Sequence, residues 1–409
     1  MNRPSVAGGG PMNPGLLSAL AERFRARFGR PHTVAAYAPG RVEVLGNHTD
    51  YNEGFVLSAA INYGTLFLAA PAADEQCRLV AADLGEETHF PAAAPAPSAA
   101  HFWSNYVAGV LAGLGRRGRI ERGCLAMFLG DVPQGAGLSS SAALEMSSAL
   151  AFCALYGLRL TPVELARIGQ AAEHEFAGVK CGLLDQISSL FGREKALVLS
   201  DFRTLEVSSV PLGEEACFLM CNTKAKRALA DGAYNERRRK CEEAAAYFAA
   251  VLPHPVQALR DVSWEEWERY APNLEPLAAR RAAHPIGENE RVRRGQTLLR
   301  EGRLADFGRL MFESHESSRR YFENSCPELD FLVDTAAQIP SVLGARLSGG
   351  GFGGSAVVLA RPRDAEAIRQ ALDRAYLRQF GQPCDIRVIV PAQGARVLQG
   401  GAALAQEAP

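Results

Sequence analysis

A short apolar strand, a glycine- and serine-rich loop and an alanine-rich helix follow one another between Leu125 and Tyr156, and no other stretch restricts the fold so strongly. Leu125 to Leu129 reads as the strand. The loop runs Gly130-Asp131-Val132-Pro133-Gln134-Gly135-Ala136-Gly137-Leu138-Ser139-Ser140-Ser141-Ala142, and Ser140 to Tyr156 continues as helix. Glycines such as Gly135 and Gly137 let backbone N–H groups come close to an anion. The helix N-terminus adds unpaired N–H groups and the positive end of its dipole. The hydroxyls of Ser139, Ser140 and Ser141 can bond phosphate oxygens or reach Mg2+. No Gly-Lys-Ser/Thr follows, so this is not a Walker A loop, and the GxGxxG of a dinucleotide site is absent here. By itself the segment fits a serine-capped glycine turn as well as an anion site.

Further segments concentrate polar or glycine residues. Ser348-Gly349-Gly350-Gly351-Phe352-Gly353-Gly354-Ser355 lies between two apolar strands. So many glycines cost chain entropy, which makes sense where backbone must pass close to a ligand. Pro39-Gly40-Arg41-Val42-Glu43-Val44-Leu45-Gly46-Asn47-His48-Thr49-Asp50-Tyr51-Asn52 packs polar and charged groups into a turn after a strand over Thr33 to Ala38. A sugar needs such a set, because each hydroxyl wants a donor or an acceptor. Glu173 to Gln186 opens on acidic residues, and its Asp185 stands inside the apolar run Leu183 to Leu190. A carboxylate there is either buried with a partner or catalytic.

The remaining pattern alternates helices and strands. Helices are expected over Leu16 to Phe28, Phe102 to Leu114, from Thr161 onward, Tyr234 to Val251, Arg291 to Glu313 and Ala365 to Phe380. Strands are expected over Asn62 to Ala70, within Cys77 to Phe90, and over Ala196 to Asp201, Leu205 to Val210, Cys217 to Asn222 and Asp385 to Val390, with a hairpin over Gly344 to Ala360. With 409 residues, and roughly 100–200 residues per domain, two or three domains are expected. The boundary is placed near residue 213, after an N-terminal domain over 16–213, with 214–409 as the second. Residues 1–15 are Gly/Pro-rich and read as a disordered tail with no apolar signal-peptide core. A net charge of −1 offers no field for nucleic acid or anionic lipid, and no apolar run suits a membrane helix. The basic run Arg237 to Lys240 reads as a solvated helix face. Nine cysteines without zinc spacing read as reduced thiols in a cytoplasmic protein.

Taken together, these segments resemble the GHMP kinase superfamily and, within it, the galactokinase family. The resemblance spans roughly Val34 to Leu359. Pro39-Gly40-Arg41-Val42 with Gly46-Asn47-His48-Thr49-Asp50-Tyr51-Asn52 is similar to the galactokinase signature. Leu138 to Glu145 is similar to the phosphate-loop motif, and Gly344 to Gly354 to the third motif. Cys181 to Gln186, and Arg227-Ala228-Leu229 followed by Tyr234-Asn235 and Arg237-Arg238, are galactokinase-like in particular. The resemblance implies an α/β fold of α+β type, with two domains, mixed sheets and an active site in the cleft between them. It implies ATP-dependent phosphorylation of the anomeric hydroxyl of galactose, with ATP and Mg2+ required. Asp185 falls at the catalytic carboxylate and Arg41 beside the transferring phosphate. His48, Asp50 and Tyr234 fall at sugar-binding positions, and Gly182 beside the sugar. Glu173 falls at the Mg2+-ligating glutamate, with Ser141 sharing the ion, and Trp103 where the family packs against adenine. A small sugar and ATP are the expected partners of a monomer or weak homodimer, with neither nucleic acid nor membrane involved.

One position departs from the signature, which reads Gly-Glu-His-Thr-Asp where this chain has Gly46-Asn47-His48-Thr49-Asp50. In the family that glutamate accepts a hydrogen bond from the 6-hydroxyl of galactose. Asn47 is neutral, shorter and able to donate. Two expectations follow: Asn47 still binds the 6-hydroxyl, or the pocket takes a sugar altered at carbon 6, such as galacturonate or L-arabinose. Mevalonate or homoserine kinase, and a catalytically inactive sugar sensor, are the rival readings. His48 to Tyr51 and the Tyr234 region count against the first, and retention of Arg41, Glu173 and Asp185 against the second.

Overall fold

The computed structural model describes residues 14–118, 120–133, 135–225 and 230–399. Residues 1–13 of the expected tail, Gln134 of the glycine–serine loop, and Arg227, Ala228 and Leu229 lie outside the described residues. Helix α1 (Pro14–Phe28) leads into β1 (Val34–Leu45). The strand was expected to end at Ala38. It continues through Arg41 and Glu43, and all twelve residues are buried. Charged residues persist in a buried strand only when paired, and both are: Arg41 with Asp185 and Glu43 with Arg346.

The long strand β2 (Phe55–Pro71) organises the first sheet. It pairs antiparallel with β1, with β5 (Cys124–Gly130) and, over its first residues, with β6 (Ala196–Asp201). β3 (Gln76–Ala81) lies parallel to β5, and β4 (Glu86–Pro91) antiparallel to β3. β7 (Val207–Pro211) pairs with β6. β12 (Arg396–Gln399) returns to pair with β1, a contact that no local pattern in the sequence announces. The second sheet is antiparallel in the order β11-β8-β10-β9, from β8 (Cys217–Asn222), β9 (Val342–Ser348), β10 (Ser355–Ala360) and β11 (Asp385–Ile389).

Helices α2 (Ser104–Gly115), α3 (Ser140–Tyr156), α4 (Pro162–Ala172) and α5 (Leu184–Phe191) flank the first sheet. The start of α4 is written locally: Thr161 and Glu164 form a capping box with Pro162 in the first turn. α6 (Ala230–Val251), α7 (Trp264–Tyr270), α8 (Pro276–Arg300) and α9 (Leu304–Ser317) follow, then α10 (Pro327–Ala337) and α11 (Ala365–Phe380). The single helix expected over Arg291 to Glu313 is two, because Gly302 takes a left-handed φ of +71° and ends α8.

The two sheets share one core. Val42, Val44 and Leu57 of the first join Phe218, Met220 and Val357 of the second in one buried cluster, together with Phe307 and Met311 of α9. Full burial of such a side chain contributes about 1.5–3 kcal/mol, so the sheets hold each other as one packed body. The motifs lie along this junction.

Candidate active site

β5 delivers the chain to the glycine–serine loop, and α3 receives it. Gly135 and Gly137 have φ of +72° and +70°, and Ser139 is left-handed at 56°. A non-glycine residue in that region is strained and persists where the surroundings fix it. Carbonyls of the loop are tied down from behind. Arg41 Nη1 donates to Gly137 O at 2.6 Å, the Arg41 amide to Leu138 O at 3.1 Å, and Ser355 Oγ to Ala136 O at 2.7 Å. The first-turn amides of α3, which have no partners within the helix, follow Ser139, with Ser140 exposed and Ser141 half-buried.

Arg41 also reaches Asp185, in the first turn of α5. Its Nε and Nη2 lie 2.7 and 2.6 Å from Asp185 Oδ1. Ser139 Oγ donates to the other oxygen, Oδ2. One carboxylate thus joins the arginine of β1 to the serine that precedes α3. Beside it, Ser141 Oγ donates to Glu173 Oε1 at 3.0 Å. Glu173 begins a wide π turn, Glu173–Ala177, that continues α4; such turns gather at functional sites. Burial, and next the Asp185 charge, push the Glu173 carboxyl up. Fully buried Glu145 is pushed up too, by burial and then by Glu173, and accepts from Gln186 Nε2 at 2.9 Å. Crowded carboxyls of this kind favour a cation. Among the described residues no group of three or more His, Cys, Asp or Glu is arranged to hold a metal. Glu173 and Ser141 fit Mg2+ instead, which usually takes one or two protein ligands and fills the rest with phosphate and water.

The turn after β1, Gly46 to Asn52, lies near Asp185, whose charge acts on Asp50. A Cβ on Gly182 would stand 1.9 Å from Asp50 Oδ2, so any side chain there would displace the Asp50 carboxylate. Burial, and next the Glu43 charge, push Asp50 up to about 7. Tyr234 of α6 joins His48 and Tyr51 in an aromatic cluster, with each pair of ring centroids 5.5–5.7 Å apart. Phe322 closes it at 4.6 Å from His48. His48 is buried and left-handed, with φ 61°. Its Nε2 donates to Gly350 O at 3.2 Å, so Nδ1 accepts from Tyr51 Oη at 2.9 Å. Burial holds its pKa down at about 3, and the ring is neutral. Asn47 is buried as well, its amide turned to Glu43, Gly349 and Asn324. Trp103 sits away from this cluster, half-buried with its ring 5.4 Å from Phe128 of β5 and Nε1 donating to Glu86 at 2.7 Å.

Several residues that hold the site escape sequence reasoning. Glu288 Oε2, from α8, accepts the amides of both Gly46 and Asn47 at 2.9 Å. Burial alone would raise its pKa, but Arg291 and other neighbours outweigh it and hold the carboxylate well below the usual range. Arg346 and Asn324 are fully buried beside the same turn. In sequence Glu288 stands in Gly287-Glu288-Asn289-Glu290-Arg291, which looks like a solvated helix face. Of the basic run, Arg238, Arg239 and Lys240 do pair along the α6 surface, whereas Arg237 turns inward to Phe322 O and Glu323 O and stacks on Phe352.

Residues 22–71 match the galactokinase galactose-binding signature, residues 105–193 the N-terminal domain of GHMP kinases and 296–379 their C-terminal domain. A galactokinase from Roseiflexus sp. (strain RS-1) is 41% identical over 377 residues, 92% of this chain and 95% of that one. The chain belongs to the galactokinase family. A crystal structure of the Lactococcus lactis member complexed with galactose is 34% identical, with a TM-score of 0.87 over 93% of this chain and 99% of that one. Methanococcus jannaschii mevalonate kinase shares the fold alone, at 17% identity and a TM-score of 0.62 over 89% of this chain. The mixed α/β architecture is thus the GHMP kinase fold, and the chain is a sugar kinase of the galactokinase type.

Proposed function

We propose that this chain transfers the γ-phosphoryl group of ATP to the anomeric hydroxyl of galactose, giving galactose 1-phosphate and ADP. The observation that carries the reading is the Arg41–Asp185–Ser139 link between the phosphate loop and the sugar signature. Phosphoryl transfer depends mainly on positioning and charge stabilisation, and this link provides both. Asp185 accepts the hydrogen bond of the anomeric hydroxyl, since a carboxylate has about four lone-pair sites and only some are taken here. Arg41 stabilises charge on the group in transfer and fixes the loop through Gly137 O. The loop glycines Gly135 and Gly137, the main-chain amides at Ser139, Ser140 and Ser141, and the Ser140 hydroxyl hold phosphate oxygens. Ser141 and Glu173 hold Mg2+, which when bound screens the charge of the phosphates. Asp50, Gly182 and Tyr234 line the sugar, with His48 and Asn47 bracing them from behind. Trp103 packs on the strand that feeds the phosphate loop and offers its ring to adenine.

The nine unpaired cysteines support a reducing cytoplasmic setting, and among the described residues no helix is long and apolar enough to cross a membrane. We place the enzyme there as a monomer or weak homodimer.

Asp185→Asn removes the acceptor and keeps the shape. ADP release with galactose should fall about 10²–10⁴-fold, the usual worth of a positioned proton acceptor, while ATP affinity measured by calorimetry stays within a few-fold. Unchanged turnover would remove Asp185 from the mechanism.

A further inference from the structure

The glycine loop between β9 and β10 is fastened at both ends. Ser355 ties it to the phosphate loop through Ala136 O. At the other end everything converges on Asn47. One Nδ2 hydrogen goes to Glu43 Oε1 at 2.8 Å and the other to Gly349 O at 2.8 Å. Oδ1 accepts from Asn324 Nδ2 at 3.1 Å, and the main-chain amide is held by Glu288. The residue is 1% exposed, so no donor of this amide is free for a ligand. Glu43 in turn receives Arg346 Nη1 at 3.0 Å, and its carbonyl accepts Ser348 Oγ at 3.1 Å. The next residue, His48, donates to Gly350 O.

We propose that Asn47 is a positioning residue: paired with Glu43, it clasps Gly349 of the glycine loop to the sugar signature, and it makes no contact with carbon 6 of the sugar. This rests on the reading of the cleft as a galactose site and narrows its specificity. A carboxylate at carbon 6 finds no free N–H at position 47, so the basis for a galacturonate preference is gone. A hydroxyl at carbon 6 is not read there either. The pair holds one carboxylate and one amide in a buried setting, where two carboxylates would repel.

The test compares kcat/KM for galactose and for L-arabinose, which lacks carbon 6 and its hydroxyl. A site that hydrogen-bonds a substrate hydroxyl rejects the analogue lacking it by about 10⁴–10⁵-fold, whereas a lost apolar contact is worth about 10–200-fold. The expected ratio lies below about 10³-fold, and a larger one overturns the proposal. A second arm uses Asn47→Asp, which sets a carboxylate against Glu43. It should raise KM for both sugars by the same factor, with kcat less affected. Adding Glu43→Gln should recover part of that loss, since one carboxylate and one amide again share the pair. A KM change confined to galactose, or no recovery in the double variant, overturns the clasp. Turnover with galactose but strong rejection of L-arabinose defeats this inference alone. No turnover with either sugar defeats the proposed function together with it.

Discussion

At the scale of single residues, the site is a set of polar groups given different states by their surroundings. Burial keeps His48 neutral and lifts Asp50 to about 7. Asp50 has a stability consequence with a definite sign. Its pKa in the folded chain is above the ordinary 3.8, so its contribution is intact below that value and is lost as pH rises to about 7. Asp50→Asn removes that titration. The variant should melt higher than the parent at pH 8, with the Tm gap closing between pH 7 and 4; a gap independent of pH would contradict the burial of this carboxyl. Asp50, with Arg41, His48 and Asp185, was legible in the sequence because each stands in a short motif of high polar density or inside an apolar run. Glu43, Glu288, Asn324 and Arg346 were not. They act through partners far along the chain, such as Glu43 and Arg346, and a distance of that kind leaves no spacing to read.

Among the elements, β1, β2 and α8 all run longer than the sequence indicated, β2 starting at Phe55 rather than Asn62 and α8 at Pro276 rather than Arg291; β1 is the one that bears on the site. A strand pattern is judged by apolar alternation, and Arg41 and Glu43 interrupt it. The structure buries both by supplying each with an ion-pair partner from another element. The strand can lie against the phosphate loop because position 40 has no side chain: a Cβ on Gly40 would stand 2.4 Å from Leu138 O. Gly40→Ala should therefore push β1 off the loop. Overpacking of this kind costs about 1–3 kcal/mol, seen as a lower Tm, and kcat should fall with it as Arg41 shifts from Asp185. A Tm and kcat equal to the parent's would mean that the close approach does not matter. Helices with local punctuation, such as α4 with its capping box, matched their expected starts. Gly302, by contrast, is a helix stop that the surrounding run of helix formers masks in the sequence.

For the whole molecule, the two sheets share one apolar core, and the three loops that make the site converge on that junction. The bonds from Ser355 to Ala136 and from Asn47 to Gly349 make the glycine loop a bridge between the glycine–serine loop before α3 and the turn after β1. That arrangement brings together segments more than 300 residues apart in the chain. In the proposed reaction the phosphoryl group goes to the anomeric oxygen of galactose. Phosphorus NMR of the product formed from ATP, Mg2+ and galactose tests it directly. The expected products are ADP and one phosphomonoester whose phosphorus couples to the anomeric proton. A product coupled to the carbon 6 protons, or ATP left intact, would contradict it.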